Sequence, residues 1–382
     1  MSTQTVSNTQ DEKHPMTSHQ QKFCSTVAEL IRLLCSTEDT VEKVAVFYHQ
    51  GCPDGIVSAL LMKYASINDN VIPISAFWDL KEEVIKSKLE KVGIDVVDET
   101  VAIVEVDVVI PAAQELFNSA RLHAKIDHHV SQREICQKIG GICIDNVCAA
   151  AIVAEMFFQQ GRQLSKAMKR LLEVLDHKDR YTSVWKTSRN IQALWEAVFQ
   201  SLRFMDRAET LLNELMKMND DQSDLWISSM TAGGELLLSQ RDDSICGVLL
   251  AYLTQATFNG IACIVVNFDT FPRTYEEREK ARANRALIAD ILSSIFKMPV
   301  FIIATPNDDQ SIYMISAGSS AECELTGLEI AQQFGGKQGH RHFAGFSTSH
   351  DEFNKRVTLG EKLELTADNW KEVKQLLLSP DE

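Results

Sequence analysis

Asp127-His128-His129 places a carboxylate and two imidazoles directly after the short segment His123-Ala-Lys-Ile. One imidazole of such a pair can ligate a divalent metal while the next faces a substrate phosphate, and the carboxylate can ligate or orient. Adjacent histidines are often surface decoration. These follow an expected strand, 20 residues after another strand-terminal acid, Asp107. Glu105 lies two residues before Asp107, and in a strand residues i and i+2 share a face, so both carboxylates are expected to look the same way. A buried acid at a strand end is costly unless it is paired or metal-bound.

Three further groups carry chemistry. In His49-Gln-Gly-Cys-Pro-Asp54-Gly55, the glycine permits a sharp turn into a helix whose N-terminus favours anions, although Asp there is also an ordinary N-cap. Asp176-His177-Lys178-Asp179-Arg180-Tyr181 ends a helix, where the macrodipole mildly disfavours acids. Within Phe334–Phe346, Gly335, Gly336, Lys337, Gly339, His340, Arg341 and His342 form an expected loop. Its glycines would let backbone N–H groups approach a phosphate, and its cations would supply charge.

The elements that must position these groups follow from periodicity. KVAVFY reads as a buried strand leading into the turn and the helix IVSALLMKYA. VIPISAF, TVAIVEVD, HAKIDH and GGICID read as further strands, giving an α/β sheet with chemistry at the C-terminal strand ends. From about Asn146 to Arg241 the pattern is helical. A second α/β block follows, with strands expected in ICGVLLAYL, GIACIVVNF, PVFIIAT and SIYMISAG and helices in EEREKARANRALIADILSSIF and LTGLEIAQQF. The expected division is a disordered tail over 1–20, a metal-bearing domain over 21–189, a helical connecting region over 190–243 and a smaller α/β domain over 244–382. The region from about Asn190 to Arg241 reads as a substrate gate or a homodimer surface. The tryptophans and Phe157 in the helical segments read as core rather than base-stacking platforms.

Composition bounds the function. The 382 residues include 38 Lys+Arg and 53 Asp+Glu, a formal charge of 38 − 53 = −15, with 45% apolar residues. That is globular composition, and the acidity argues against a coat on long nucleic acid, which needs surplus cations. Small phosphate-bearing substrates remain open, because local cations or metals can hold them. No apolar run is long enough to span a bilayer. Nine cysteines, an odd number with no CxxC, read as a reduced, cytoplasmic protein without a disulfide frame. The polar stretch 1–20 is neither a signal peptide nor a good transit peptide.

In this order the five groups resemble the DHH phosphoesterase superfamily. Asp127-His128-His129 matches its naming triplet, HQGCPDGIVSA its first motif, Asp107 before Pro111 its second, HKDRY its fourth, and GGKQGHRHFAGF the glycine- and histidine-rich loop of the first type of DHH-associated C-terminal domain. The resemblance covers roughly Lys43 to Ser349. It implies a two-domain α/β hydrolase with two manganese or magnesium ions. Asp54, Asp107, His128 and Asp179 (Asp176 the fallback) would hold one metal, and Asp107 would bridge to a second shared with His49. His129 would face the scissile phosphate, and His340 with Lys337 and Arg341 would hold a substrate phosphate. The implied function is hydrolysis of phosphodiester bonds in short single-stranded oligonucleotides or cyclic dinucleotides by metal-activated water, with no action on long duplexes. Pyrophosphate or polyphosphate hydrolysis is a second reading. Cys52 stands where many members have another Asp, so a non-catalytic nucleotide-binding homologue is a third.

Overall fold

A computed structural model describes residues 28–32, 34, 43–77, 79–97, 100–139, 141–145, 147–158, 163–179, 188–268, 284–304, 311–336 and 339–378. The stretch 1–20, Arg180-Tyr181 and Lys337 lie outside the described residues. The first sheet comprises β1 (Lys43–His49), β2 (Val71–Ala76), β3 (Val101–Val106), β4 (Leu122–Asp127) and β5 (Ile142–Cys143), all parallel, in the order β2-β1-β3-β4-β5. The order reverses between β1 and β3, and in an open parallel sheet that is where a crevice forms beyond the strand ends.

β1 is apolar almost throughout because both faces are covered. Val44, Val46 and Tyr48 pack on one side with α1 (Pro53–Ala65), α5 (Ala149–Phe158) and α6 (Lys166–Asp179). Ala45 and Phe47 pack on the other with α2 (Glu82–Lys91) and Phe117 of the short α3 (Gln114–Phe117). α4 (Arg133–Ile139) connects β4 to β5. The cross-strand register sets the site. Tyr48 pairs with Val106 and Val106 with Ile126, so His49, Asp107 and Asp127, each one residue further on, reach the C-terminal edge at one level.

The helical region contains α7 (Arg189–Leu202), α8 (Met205–Lys217) and α9 (Asp220–Ala251). α9 has 32 residues, about 48 Å at 1.5 Å per residue. It opens with a capping box between Asn219 and Gln222. α9 runs unbroken through the junction expected at 243/244, so a helix joins the two sheets there. ICGVLLAYL is accordingly not a strand: Ile245 to Ala251 finish α9, burying Ile245, Val248 and Leu249 at helical spacing. A short apolar run does not separate a buried strand from a buried helix.

The second sheet has the order β10-β9-β8-β7-β6-β11, built from β6 (Leu253–Phe258), β7 (Ile261–Asn267), β8 (Val300–Ala304), β9 (Ile312–Gly318), β10 (Phe343–Ser349) and β11 (Val357–Lys362). Only β7 and β8 are parallel neighbours. α10 (Arg285–Phe296) and α13 (Ala367–Leu378) cover one face, and α11 (Gly327–Gln333) and α12 (His350–Arg356) contribute Ile330 and Phe353 to the other. Phe157 lies in the main core and Trp195 and Trp226 pack, partly buried, against it, while Trp185 lies outside the described residues. Among the described residues no helix is long and apolar enough to cross a membrane.

Candidate metal centre

Asp107 sits at the middle of the site. It follows β3 with φ +54°, a left-handed conformation that an L-residue adopts only under constraint. Its N–H remains in the ladder, bound by Ile126 O at 3.0 Å, while the backbone turns its carboxylate away from the strand alternation. Oδ1 lies 3.4 Å from His128 Nε2 and 3.6 Å from His129 Nδ1, and Oδ2 lies 3.8 Å from His49 Nδ1. The residue is 3% exposed, and neither oxygen makes a hydrogen bond.

His128 Nε2 also faces Asp179 Oδ2 at 2.8 Å and Asp54 Oδ2 at 3.7 Å. Nε2 and Asp179 Oδ2 are buried within ion-pair distance, yet neither is aligned for a hydrogen bond. Asp54, fully buried, accepts from the N–H groups of Ala149 at 2.8 Å and Ala150 at 2.7 Å, the first turn of α5. Gly55 lets the turn pack against the end of β1 and against Asp107, since a Cβ there would lie 2.9 Å from His49 N and 3.4 Å from Asp107 Oδ2.

The electrostatics of the cluster favour positive charge. Burial, then Asp179 and Asp107, push the Asp54 carboxyl well above its usual range. Burial opposes charge on His128, but Asp179, Asp107 and Asp54 outweigh it and raise the imidazole to about 12. Against its own burial, Asp179 is held down to about 2, chiefly by His128. The buried Asp54 and Asp107 and the partly buried Asp179 thus favour a protonated His128, a demand for positive charge that a divalent cation would meet more fully. The donor atoms of Asp54, His128 and Asp179 lie within 4.8 Å of one another, as do those of His49, Cys52 and Asp107. Unsatisfied buried oxygens with imidazole nitrogen fit a divalent metal of the manganese or magnesium class.

Asp127 is a positioning residue. Its Oδ1 accepts from His128 N at 2.7 Å, His129 N at 2.9 Å and His129 Nδ1 at 2.7 Å, and Oδ2 faces Lys125 Nζ at 3.1 Å. Burial opposes its ionisation, but Lys125 and then His129 hold it well below the usual carboxylate range. With Nδ1 of His129 engaged, Nε2 is the nitrogen left for a substrate. His129 lines a small cleft with His49, Asp107, Asp127, Val108, Val109 and Gln132. From the loop before β10, the His340 ring lies 5.3 Å from His128 and 4.9 Å from His129, tilted by 45° and 38°. Burial, then His129, lower its pKa to about 4.

No family model and no curated protein matches the sequence. Solved structures do. The DHH domain of a protein described as a member of the s1p family of ribosomal proteins superposes with a TM-score of 0.58 at 14% identity, covering 94% of this chain and 90% of that one. The fold is that of a DHH-domain protein. Exonuclease RecJ bound to manganese also matches, at 13% identity and TM-score 0.45 over 96% of each chain. So does RecJ in complex with Mn2+ from Thermus thermophilus, at 14% identity and TM-score 0.48 over 94% of this chain and 55% of that one.

Within this DHH fold, several sequence expectations need correction. Glu105 does not share the site with Asp107, because the backbone reversal breaks the strand parity. It faces the opposite layer and binds His123 Nε2 at 3.0 Å, Ile110 N at 2.8 Å and Gln114 Nε2 at 3.0 Å. Asp176 is likewise outside, accepting from Cys148 N at 2.8 Å, so Asp179 is the cluster's helix-terminal acid. Gly335 and Gly336 do not offer N–H groups to a phosphate. They donate to Gln332 O at 3.0 Å and Ala331 O at 2.8 Å and close the end of α11. His342 is held by Ser319 Oγ at 3.3 Å rather than in the histidine cluster, and Arg341 is exposed. The second half of the expected loop, from Phe343, is strand β10.

Two roles are not visible in the sequence motifs. Lys125, fully buried, donates to Val108 O and clamps Asp127. Its i, i+2 spacing from Asp127 on β4 is the available signal. The Glu105–His123 pair beneath the Asp107 turn has no comparable signal, since its partners come from separate elements.

Proposed function

We propose that the chain is a DHH phosphoesterase: a hydrolase dependent on manganese or magnesium that cleaves phosphodiester bonds in short single-stranded oligonucleotides or cyclic dinucleotides. The observation that carries the reading is Asp107, buried with both oxygens lacking hydrogen bonds between His128 and His49. A buried unsatisfied carboxylate is too costly to retain unless something binds it.

Asp54, Asp107, His128 and Asp179 would hold one cation, and Asp107 with His49 a second. Divalent cations at this centre would polarise a phosphoryl oxygen and lower the pKa of water. The protein's own groups do the rest. Asp127 fixes the tautomer and direction of His129, which presents Nε2 to the phosphate. His340 faces His128 and His129 from the loop before β10, where it would help to orient the substrate. Lys125 holds Asp127 rigid. The net charge of −15 favours a short substrate over a long polyanion.

The test is hydrolysis of a linear and a cyclic dinucleotide, beside pyrophosphate, by purified protein with manganese. The expected result is dinucleotide cleavage that chelation abolishes and His129→Ala lowers by at least about 100-fold, the scale of a lost general acid–base or positioning group. Cleavage of pyrophosphate alone would replace the bond assignment, and no cleavage of any of the three would overturn the enzymatic one.

A further inference from the structure

The two groups of candidate ligands around Asp107 differ in chemistry. Asp54, His128 and Asp179 offer two carboxylates and one imidazole, whereas His49, Cys52 and Asp107 offer an imidazole, a sulfur and a carboxylate. Cys52 occupies the N-cap of α1, yet its side chain makes no capping hydrogen bond. The local backbone brings its sulfur inward. Gly51 has φ +74°, and Cys52 N donates to His49 O at 3.3 Å, folding the chain so that Cys52 and His49 converge on Asp107. The absence of a Cβ at Gly55 lets Asp107 Oδ2 come close to the same turn. The independent sign that this position receives a ligand is Asp107 itself, 3% exposed, with neither oxygen hydrogen-bonded.

We infer that the centre is chemically unequal: Cys52 is a sulfur ligand, and the position formed by His49, Cys52 and Asp107 takes a zinc-class cation, while the position formed by Asp54, His128 and Asp179 takes a hard one. The inference rests on the metal-centre reading above. Thiolate sulfur selects zinc-class ions over magnesium and manganese, and imidazole and carboxylate are both compatible with zinc. On binding, the Cys52 thiol gives up its proton to solvent and its sulfur donates to the metal, with no change of oxidation state. Three protein ligands leave a coordination position open, the arrangement of catalytic rather than structural zinc.

Titration of the full chain with cobalt(II) alone, followed by optical absorption, tests this. Wild type is expected to show a thiolate-to-cobalt charge-transfer band. Cys52→Ser is expected to lose that band while keeping cobalt at the other position. Zinc-loaded wild type should show one sulfur neighbour at about 2.3 Å by X-ray absorption, a measurement independent of any variant's folding. Cys52→Asp should bind metal without the band. Cobalt bound to wild type with no sulfur band, or a band that survives in Cys52→Ser, overturns the Cys52 assignment and leaves the metal centre standing. No cobalt binding at all overturns both.

Discussion

Asp107 and Glu105 are two acids on one strand with opposite roles, and the difference is a single dihedral. Asp107 at φ +54° leaves the strand alternation and joins the candidate metal ligands, while Glu105 stays in it and is satisfied by His123, Gln114 and Ile110 N. Removing Glu105 leaves His123 Nε2 and the Ile110 N–H without their partner, although His123 Nδ1 keeps Asn118 Oδ1 at 3.1 Å. Glu105→Ala is therefore expected to cost about 3–5 kcal/mol, read from the urea midpoint, with manganese affinity of the folded fraction unchanged. Loss of manganese binding without loss of stability would place Glu105 in the centre instead. The sequence shows the pair of acids and the Asp-His-His triplet plainly. It cannot show the reversal between Glu105 and Asp107, because alternation assumes a regular strand. The roles of Gly335 and Gly336 are hidden for a similar reason: a glycine that ends a helix and one that cradles a phosphate look alike until the partners of their N–H groups are known.

Among the elements, the parallel strands are the most legible, since strands buried on both faces are nearly continuous apolar runs. β6, β10 and β11 are not, being half exposed and polar, and the end of α9 reads as a strand in the sequence because its apolar run is short. Of the glycine pair within α9, Gly234 has a packing reason, whereas a Cβ on Gly233 would meet open space. A Cβ on Gly234 would lie 1.8 Å from Ala193 O, so α9 and α7 approach too closely for any side chain there. Helix propensity alone makes Gly234→Ala stabilising by about 1 kcal/mol, whereas overpacking costs about 1–3 kcal/mol or more. Overpacking is expected to win, giving a net loss in thermal or urea denaturation. A stabilised variant would show that the two helices can separate. Gly339 acts on the other side of the cleft. It has φ +146°, and a Cβ would lie 2.5 Å from Ala344 Cβ. Gly339→Ala is expected to displace His340 and lower kcat/KM on the order of 100-fold without altering metal stoichiometry, since misplacement by about 1 Å has that scale. Unchanged kcat/KM would remove the second sheet from catalysis.

For the whole molecule, the two sheets matter because the cleft lined by His49, Asp107 and His129 belongs to the first, while His340, just before β10 of the second, brings its ring to 5.3 Å from His128 and 4.9 Å from His129. The acidity of the chain is concentrated functionally at Asp54, Asp107 and Asp179, where cations would offset it, and the remainder disfavours a long polyanion. With manganese, cleavage of a dinucleotide is expected to exceed that of a long duplex. A preference for the duplex would refute the short-substrate reading. The buried carboxylate of Asp107, lacking hydrogen bonds, is expected to hold divalent cations, and calorimetric titration of manganese into wild type and Asp107→Asn measures this. The expected result is saturable binding in wild type, weakened by more than about 100-fold in Asp107→Asn, beyond the 10–100-fold effect of losing an outer-shell partner. Equal affinity in the two proteins, or no binding to wild type, would contradict it.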